Sequence, residues 1–404
     1  MNPMHTPEDF PYITHIHVND CYTYQNFDIF LNDDKPFSHL VLTGRNGSGK
    51  TTILNSLDRH LSLYYTSHEP EKQIFLLQEH VQHNPKHSYI PKWKYEIQQI
   101  KNIAIGFNNE PSLLNSKYIT YSFLKSNRQS KPEQVTTVTK EIDFLEKLNQ
   151  ENSSEFFVKQ FKQYLVNKKV NQAFDILDNN KEKIAETERF FHLITNSLQR
   201  ILEDSALELV FMKENFDFEI QLSSGQRITF DHLSDGFSAL VSILMDLFMR
   251  VDIIRKEVKD FSYNPCGIVL IDEPETHLHL KLQYEVMPLL TSLFPNIQFV
   301  VATHSPAVIS SLKTATIFDL TTKTTESDRV AGSSFSELMV SHFGLDNEYS
   351  NIADDIFEQI NHIVKTEANL QTRKERLQEV LAENEAYLSP AMQLELESMI
   401  LEIQ

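Results

Sequence analysis

The spacing of apolar positions changes several times along this chain, and each change marks an element. Short apolar or alternating runs at Ile13–Val18 and Phe27–Leu31 predict two strands, joined by polar residues that suit a hairpin. Leu40-Val41-Leu42-Thr43 is an apolar run that ends at a glycine loop, as a buried strand does; Thr51–Leu57 then continues at helical spacing. The stretch from Ser67 to Glu141 is mixed, with strands predicted at Ile103–Phe107 and Tyr118–Leu124. From Glu141 to Leu202 the pattern is helical: Phe156, Phe157, Phe161 and Leu165 recur within a background of Lys, Glu, Gln and Asn. Phe216–Leu222 and Arg227–Phe230 predict a hairpin through Ser223-Ser224-Gly225-Gln226.

Phe237–Met249 is a strongly apolar helix, and Gly267–Ile271, Gln298–Ala302 and Thr316–Leu320 predict three buried strands. Beyond Ser333 the pattern is helical, and Ile360–Gln404 predicts a helical hairpin turning near Leu388-Ser389-Pro390. No internal repeat of solenoid length is present in the sequence.

Composition narrows the class of protein. Of 404 residues, 41% are hydrophobic and 23% charged, enough for a sizeable core. The net charge of −19 argues against nonspecific attraction of the whole surface to nucleic acid or anionic membrane, while leaving room for a local basic groove. Two cysteines, Cys21 and Cys266, are too few for a disulfide scaffold or a Cys-rich metal site. Met1–Phe10 has no secretory pattern, and Phe237–Val251, interrupted by Ser242, Asp246 and Arg250, is too short to span a bilayer. A soluble cytoplasmic protein with no membrane partner is expected. The chain has nine glycines, so those in motifs carry weight: Gly44, Gly47, Gly49 and Gly236.

Four motifs carry the chemistry. Gly44-Arg45-Asn46-Gly47-Ser48-Gly49-Lys50-Thr51 fits G-x-x-x-x-G-K-[ST] between a strand and a helix, the form of a loop whose N–H groups cradle phosphates. Lys50 is expected on the β- and γ-phosphates of ATP, Thr51 on Mg²⁺, and Thr52 among the cradling residues. Gly267–Asp272-Glu273 reads as a buried strand ending in two acids, Asp272 for Mg²⁺ and Glu273 for the attacking water. Val300–Thr303-His304-Ser305 places a histidine where it would sense the γ-phosphate. For the fourth, two segments compete. Leu222–Gln226 looks more like the transporter signature at face value but precedes a strand pattern, whereas Ser234-Asp235-Gly236 precedes a helix, which a signature needs to address a phosphate. The second is preferred.

In this order the motifs resemble the ABC-type ATPase heads of SMC and break-repair proteins and of the OLD-like ATPases. Asp272-Glu273-Pro274-Glu275-Thr276-His277-Leu278-His279 is closer to the OLD-like pattern than to that of transporters, and Gly332–Phe343 is similar to the segment that follows the head. The resemblance covers about 1–65 and 200–345. It implies an α/β fold, a P-loop NTPase with mixed sheet and flanking helices: head residues 1–140 and 203–332, a helical insertion 141–202, and a helical C-terminal region 333–404. It further implies two copies pairing face to face around ATP, with Ser234, Asp235 and Gly236 acting on the partner's nucleotide and His277 and His279 near the interface. A metal site at the two histidines is a weak alternative. The family's Mg²⁺-touching glutamine is Gln78 or Gln129, and the adenine contacts fall to Tyr24 and Phe27.

The leading expectation is therefore an ATP-hydrolysing switch that dimerises around ATP and controls a separate effector, a nuclease or toxin of an anti-phage defence system. The roughly 59 residues after Leu345 leave no room for a Toprim nuclease. Its rival is an SMC-like ATPase for DNA repair or tethering, for which the insertion is too short to form arms; nucleic-acid binding as such stays open.

Overall fold

Strand β3 (His39–Thr43) is buried along its whole length, and so are β9 (Gly267–Asp272), β10 (Ile297–Ala302) and β11 (Ala315–Asp319). Strands apolar on both faces belong in the middle of a covered parallel sheet, and these form one. In the computed structural model, which describes residues 4–19, 26–66, 69–84, 87–151, 153–325, 351–367, 369–384, 388, 393 and 394, the central sheet runs β12-β11-β3-β10-β9-β5. Here β5 is Thr120–Leu124, and β12 (Thr324–Thr325) is the antiparallel member that makes the sheet mixed.

The registers place functional positions side by side. Ala302 of β10 pairs with both Asp272 of β9 and Leu42 of β3, and Asp319 of β11 pairs with Thr43. Because the strands are parallel, their carboxyl ends open on one edge, where ligands of open α/β sheets bind. Helix α1 (Lys50–Tyr65) leaves the phosphate loop and lays Ile53, Leu54, Leu57 and Leu61 in the core shared with β9 and β10.

A second sheet, β2-β1-β4 (Phe27–Phe30, Ile13–Val18, Ile103–Phe107), is antiparallel. Fully buried Gln298 ties it to the first: its Oε1 accepts from Ile13 N (2.9 Å), and its Nε2 donates to the carbonyls of Ile13 (2.9 Å) and Ser38 (2.8 Å). Between α1 and β4 come α2 (Pro70–His83) and α3 (Ile90–Lys101), two helices in the stretch read as mixed. They were hidden because Ile74–Leu77 is one continuous apolar run, which has no period, and of these only Leu77 is buried.

The helical segment is α4 (Glu141–Gln150), α5 (Ser154–Leu177) and α6 (Lys181–Ile201). A meander of β6 (Glu208–Met212), β7 (Asp217–Gln221) and β8 (Arg227–Ile228) follows, the last shorter than expected because Phe230 begins a 3-10 turn. Helix α7 (Asp235–Val258) packs on α5 and α6; α8 (Leu280–Leu293) and the short α9 (Pro306–Ile309) pack on each other.

The chain divides into two compact units, 1–335 and 336–404. In the second, α10 (Asn351–Thr366) and α11 (Leu370–Asn384) bury Ile356, Ile360, Leu377 and Leu388 between them. These two helices are joined between Thr366 and Leu370. Asn369 fixes the join, its side chain accepting from the N–H groups of Gln371 (2.9 Å) and Thr372 (3.3 Å), as a helix cap does. Ser389 and Pro390 lie outside the described residues, as does Gly332–Phe343.

Candidate nucleotide site

The loop after β3 begins with Gly44 at φ +129°, where a Cβ would sit 2.9 Å from Thr321 Oγ1 and 3.0 Å from Asp319 Oδ1. A side chain there meets both strain and crowding, so the loop's first turn requires glycine. Thr321 Oγ1 also accepts from Arg45 N (2.9 Å), anchoring the loop to the end of β11. Arg45, Asn46 and Gly47 stand exposed at its apex, with Ser48 and Gly49 leading into α1.

Lys50 is buried, and its Nζ donates to the carbonyls of Gly44 (2.6 Å) and Arg45 (3.2 Å) and to Ser48 Oγ (3.4 Å). Burial pushes its pKa down to about 8, against the pull of the carboxylates of Glu273, Asp319, Asp272 and Glu275. Its ammonium is desolvated at the base of the phosphate loop. An anion at the loop apex would favour its charged form.

Thr51 Oγ1 donates to both Asp272 oxygens, at 3.1 and 3.3 Å. Burial raises the Asp272 pKa, and the bond from Thr51 opposes it. A hydroxyl facing a carboxylate beside a phosphate loop fits Mg²⁺, a hard ion that takes one or two protein oxygens and completes its octahedron with phosphates and water. Among the described residues no cluster of three His, Cys, Asp or Glu side chains forms a protein-only metal cage, and a nucleotide-bound Mg²⁺ does not need one.

Glu273 has a left-handed backbone, φ +50°, and its N–H donates to Ala302 O (2.8 Å). This twist at the end of β9 leaves the carboxylate partly in solvent, 3.9 Å from His304 Nε2. Burial, and then the Lys50 charge, lower the His304 pKa below the usual imidazole value, keeping the ring neutral at neutral pH. Lys50, Thr51, Asp272, Glu273 and His304, separated by up to 254 positions in the chain, thus meet at one sheet edge.

Two residues given no role from sequence hold this edge together. Arg128, in the loop after β5, donates from Nη1 to Asp272 O and from Nη2 to Glu273 O, each at 2.7 Å. Its pKa is pushed down to about 10 by burial, with Glu275, Asp272 and Glu273 opposing. Glu275 is buried; its Oε1 accepts from Thr303 Oγ1 (2.5 Å) and His304 N (3.0 Å), fixing the backbone that carries His304, while Oε2 has no hydrogen-bond partner. The parallel pairing of β5 with β9 was the available signal for Arg128, since it brings that loop to Asp272.

Ser223–Gln226 is the turn between β7 and β8, closed by Gly225 N donating to Leu222 O (2.9 Å). Ser234 and Asp235 are exposed at the amino end of α7. Gly236 lies against the chain after β9: a Cβ on it would be 2.3 Å from His277 O. Phe237 meets His279 edge-on, ring centroids 6.4 Å apart. Gln129 and Gln78 are both exposed; Gln129 follows Arg128, which reaches Asp272, whereas Gln78 lies on α2, which packs on α1 and α3. Phe27 is not free to stack on a base; it is buried face to face with Phe318 (5.8 Å, 7°), and Tyr24 lies outside the described residues.

Residues 40–310 match the model of the family described as "AAA domain, putative AbiEii toxin, Type IV TA system". The "Retron Vc95 probable ATPase" of Vibrio cholerae serotype O1 biovar El Tor is 29% identical over 43% of this chain and 35% of its own length. "Septu protein PtuA" of Bacillus thuringiensis is 26% identical over 67% of each. The chain thus spans about a third of one of these relatives and two thirds of the other. Among solved structures, an Smc head bound to the C-winged helix domain of ScpA matches at TM-score 0.40 and 14% identity, over 76% of this chain and 94% of that one. Among the described residues no helix is long and apolar enough to cross a membrane. With the family match covering most of the chain and the phosphate loop, acidic strand end and histidine meeting inside it, the protein belongs to this family of AAA-domain ATPases.

Proposed function

We propose that the protein is an ATP-driven switch: two copies close face to face around ATP, hydrolysis reopens them, and the change is passed to a separate effector, a nuclease or toxin of an anti-phage defence system. The carrying observation is that one chain holds the phosphate loop, Thr51–Asp272 and Glu273–His304 at a single edge, while Ser234 and Asp235 stand exposed at the amino end of another helix. An exposed helix start of this kind suits a phosphate brought by a second copy. The relatives named as a retron ATPase and a Septu protein support the defence setting. Residues 1–140 and 203–332 are read as one head, with 141–202 inserted and 333–404 free to engage the effector.

ATP with Mg²⁺ supplies the transferable phosphoryl group and the charge neutralisation at its oxygens. The phosphate-loop N–H groups from Gly44 to Thr52 hold the phosphates, and Lys50 turns its ammonium from loop carbonyls to phosphate oxygens. Asp272 and Thr51 would hold the metal, with Gln129 as the nearer of the two glutamines to it. Glu273 accepts a hydrogen bond from the attacking water and orients it, and neutral His304 donates to the γ-phosphate.

Light scattering of the Glu273→Gln variant with Mg²⁺-ATP tests this. It is expected to bind ATP, hydrolyse it at least about a hundredfold more slowly, and run as a dimer that wild type forms only transiently. Adding Ser234→Arg is expected to return it to a monomer, whereas Ser223→Arg leaves the dimer intact. A monomer in Glu273→Gln, or dimer loss with Ser223→Arg alone, refutes the composite site.

A further inference from the structure

The α2–α3 hairpin projects a feature at odds with the rest of the surface. In a chain of net charge −19, the stretch from His80 to Tyr95 has no Asp or Glu, and its described residues include Lys92, Lys94 and three histidines. Four rings cluster at the hairpin tip, two of the pairs stacked and two tilted. His87 and Trp93 stack at 5.1 Å and 19°, Trp93 and Tyr89 at 6.4 Å and 26°, His80 and Trp93 at 5.5 Å and 31°, and His87 and Tyr89 at 5.4 Å and 31°. Tyr89 is 53% exposed in this cluster, and Lys92 Nζ lies over its ring, 5.9 Å from the centre. Lys94 is also exposed.

We propose that this hairpin tip is a binding surface for single-stranded nucleic acid. Helix packing does not account for it, because the two helices bury Leu77 and Ile100 and leave Tyr89 to water. An exposed ring beside lysines offers what an unpaired strand needs: an aromatic surface for a base and cations for its phosphates. Exposed rings can also serve a folded protein partner, but the lysines beside them, with no acid from His80 to Tyr95, favour a polyanion. Duplex DNA keeps its bases stacked on each other and so cannot use Tyr89. The local absence of acids removes the repulsion that the overall charge imposes on any polyanion.

The inference is independent of the nucleotide site, and its test reads binding apart from hydrolysis. Fluorescence anisotropy on the full chain, with oligothymidylate and oligouridylate about 20 nucleotides long and a duplex of equal length, compares wild type with two variants. Lys92→Glu/Lys94→Glu is expected to weaken single-strand binding about tenfold or more and to flatten its salt dependence. Tyr89→Ala is expected to weaken it about fivefold with the salt dependence kept, and both variants are expected to retain wild-type ATP hydrolysis. The ratio between the two oligonucleotides tells whether DNA or RNA is the partner. Absence of single-strand binding at low salt overturns the proposal. So does binding that neither variant alters, or duplex binding as tight as single-strand binding with Tyr89→Ala silent.

Discussion

Arg128 shows how far a single side chain shapes the site. Its two bonds to the carbonyls of Asp272 and Glu273 stop the chain from relaxing after β9, where Glu273 has left the strand conformation. Arg128→Met leaves both carbonyls without their donor and should cost about 3 kcal/mol of stability, read as a fall in the urea midpoint. It should also lower kcat more than it raises KM, since it acts by aiming Glu273; Arg128→Lys, with one donor in place of a fork, should recover part of the stability and little of the rate. Equal losses in kcat and KM would show that Arg128 only holds the fold. Lys50 gives a pH prediction at the same scale. With its pKa at about 8 without nucleotide, it is mostly neutral at pH 9, whereas bound to phosphates it is charged. The bound state therefore holds more protons above pH 8, and affinity falls as pH rises through that value. Calorimetry at pH 8.5 in buffers of different ionisation enthalpy should show proton uptake on ATP binding, and none at pH 6.5. These two residues also mark what sequence makes legible. Lys50, Thr51, Asp272 and Glu273 are readable because their partners are fixed by a local backbone pattern. Arg128 bonds to main-chain carbonyls, and every residue has one of those. Glu275 could be quoted within a motif, yet its bonds to Thr303 and the His304 N–H depend on the pairing of β9 with β10.

At the scale of elements, α7 joins the site to the inserted helices through its polar positions. In the sequence Asp246 and Arg250 interrupt an apolar helix; in the structure they are buried and bonded to each other (2.9 Å), with Arg250 over the ring of Phe157 on α5 (3.9 Å). Two residues on, Asp252 pairs with Lys168 of α5 (2.7 Å), accepts from Tyr164, and Lys168 sits 4.3 Å from the ring centre of Phe190 on α6. The loop carrying Arg128 joins this assembly too: Ser130 N donates to Ser238 Oγ on α7 (2.7 Å), and Glu133 N donates to Lys159 O on α5 (2.8 Å). The apolar period had shown where α7 lies but not which neighbour its polar residues face, because charge pairing between distant helices leaves no periodic trace. Removing one partner of a buried pair strands the other charge. Asp252→Leu alone should therefore cost about 3–5 kcal/mol, and adding Lys168→Met should recover most of it. Additive losses in the double variant would mean that the pair contributes nothing as a pair. The start of α7 is constrained by backbone. Gly236→Ala pushes a methyl to 2.3 Å from His277 O, where no side chain can swing away, so Ser234 and Asp235 must move with it. Hydrolysis should fall at least about tenfold with ATP binding unchanged within a factor of two, measured by steady-state turnover and calorimetry.

For the molecule as a whole, the division into two units has a consequence for what each can do alone. Every group at the nucleotide edge, from Gly44 of the loop to Thr321 behind it, lies in the first unit, whose central sheet is closed by its own strands. The second unit has helices of 16 and 15 residues, lengths at which an isolated helix is marginal in water, and they stay folded by burying Ile356, Ile360, Leu377 and Leu388 between them. Among its described residues the second unit offers a helical surface and none of the groups named at the nucleotide edge. Residues 1–335 alone should bind ATP within about twofold of the full chain and unfold in a single cooperative step. If the proposed effector exists and the helical pair engages it, they should also lose any partner that the full chain brings down from its native host. A tenfold loss of ATP affinity in the shortened chain would show instead that the helical pair completes the nucleotide site. Both outcomes can be read from one titration followed by one pull-down, because the first asks whether the helical pair is needed for ATP and the second whether it is needed for a partner.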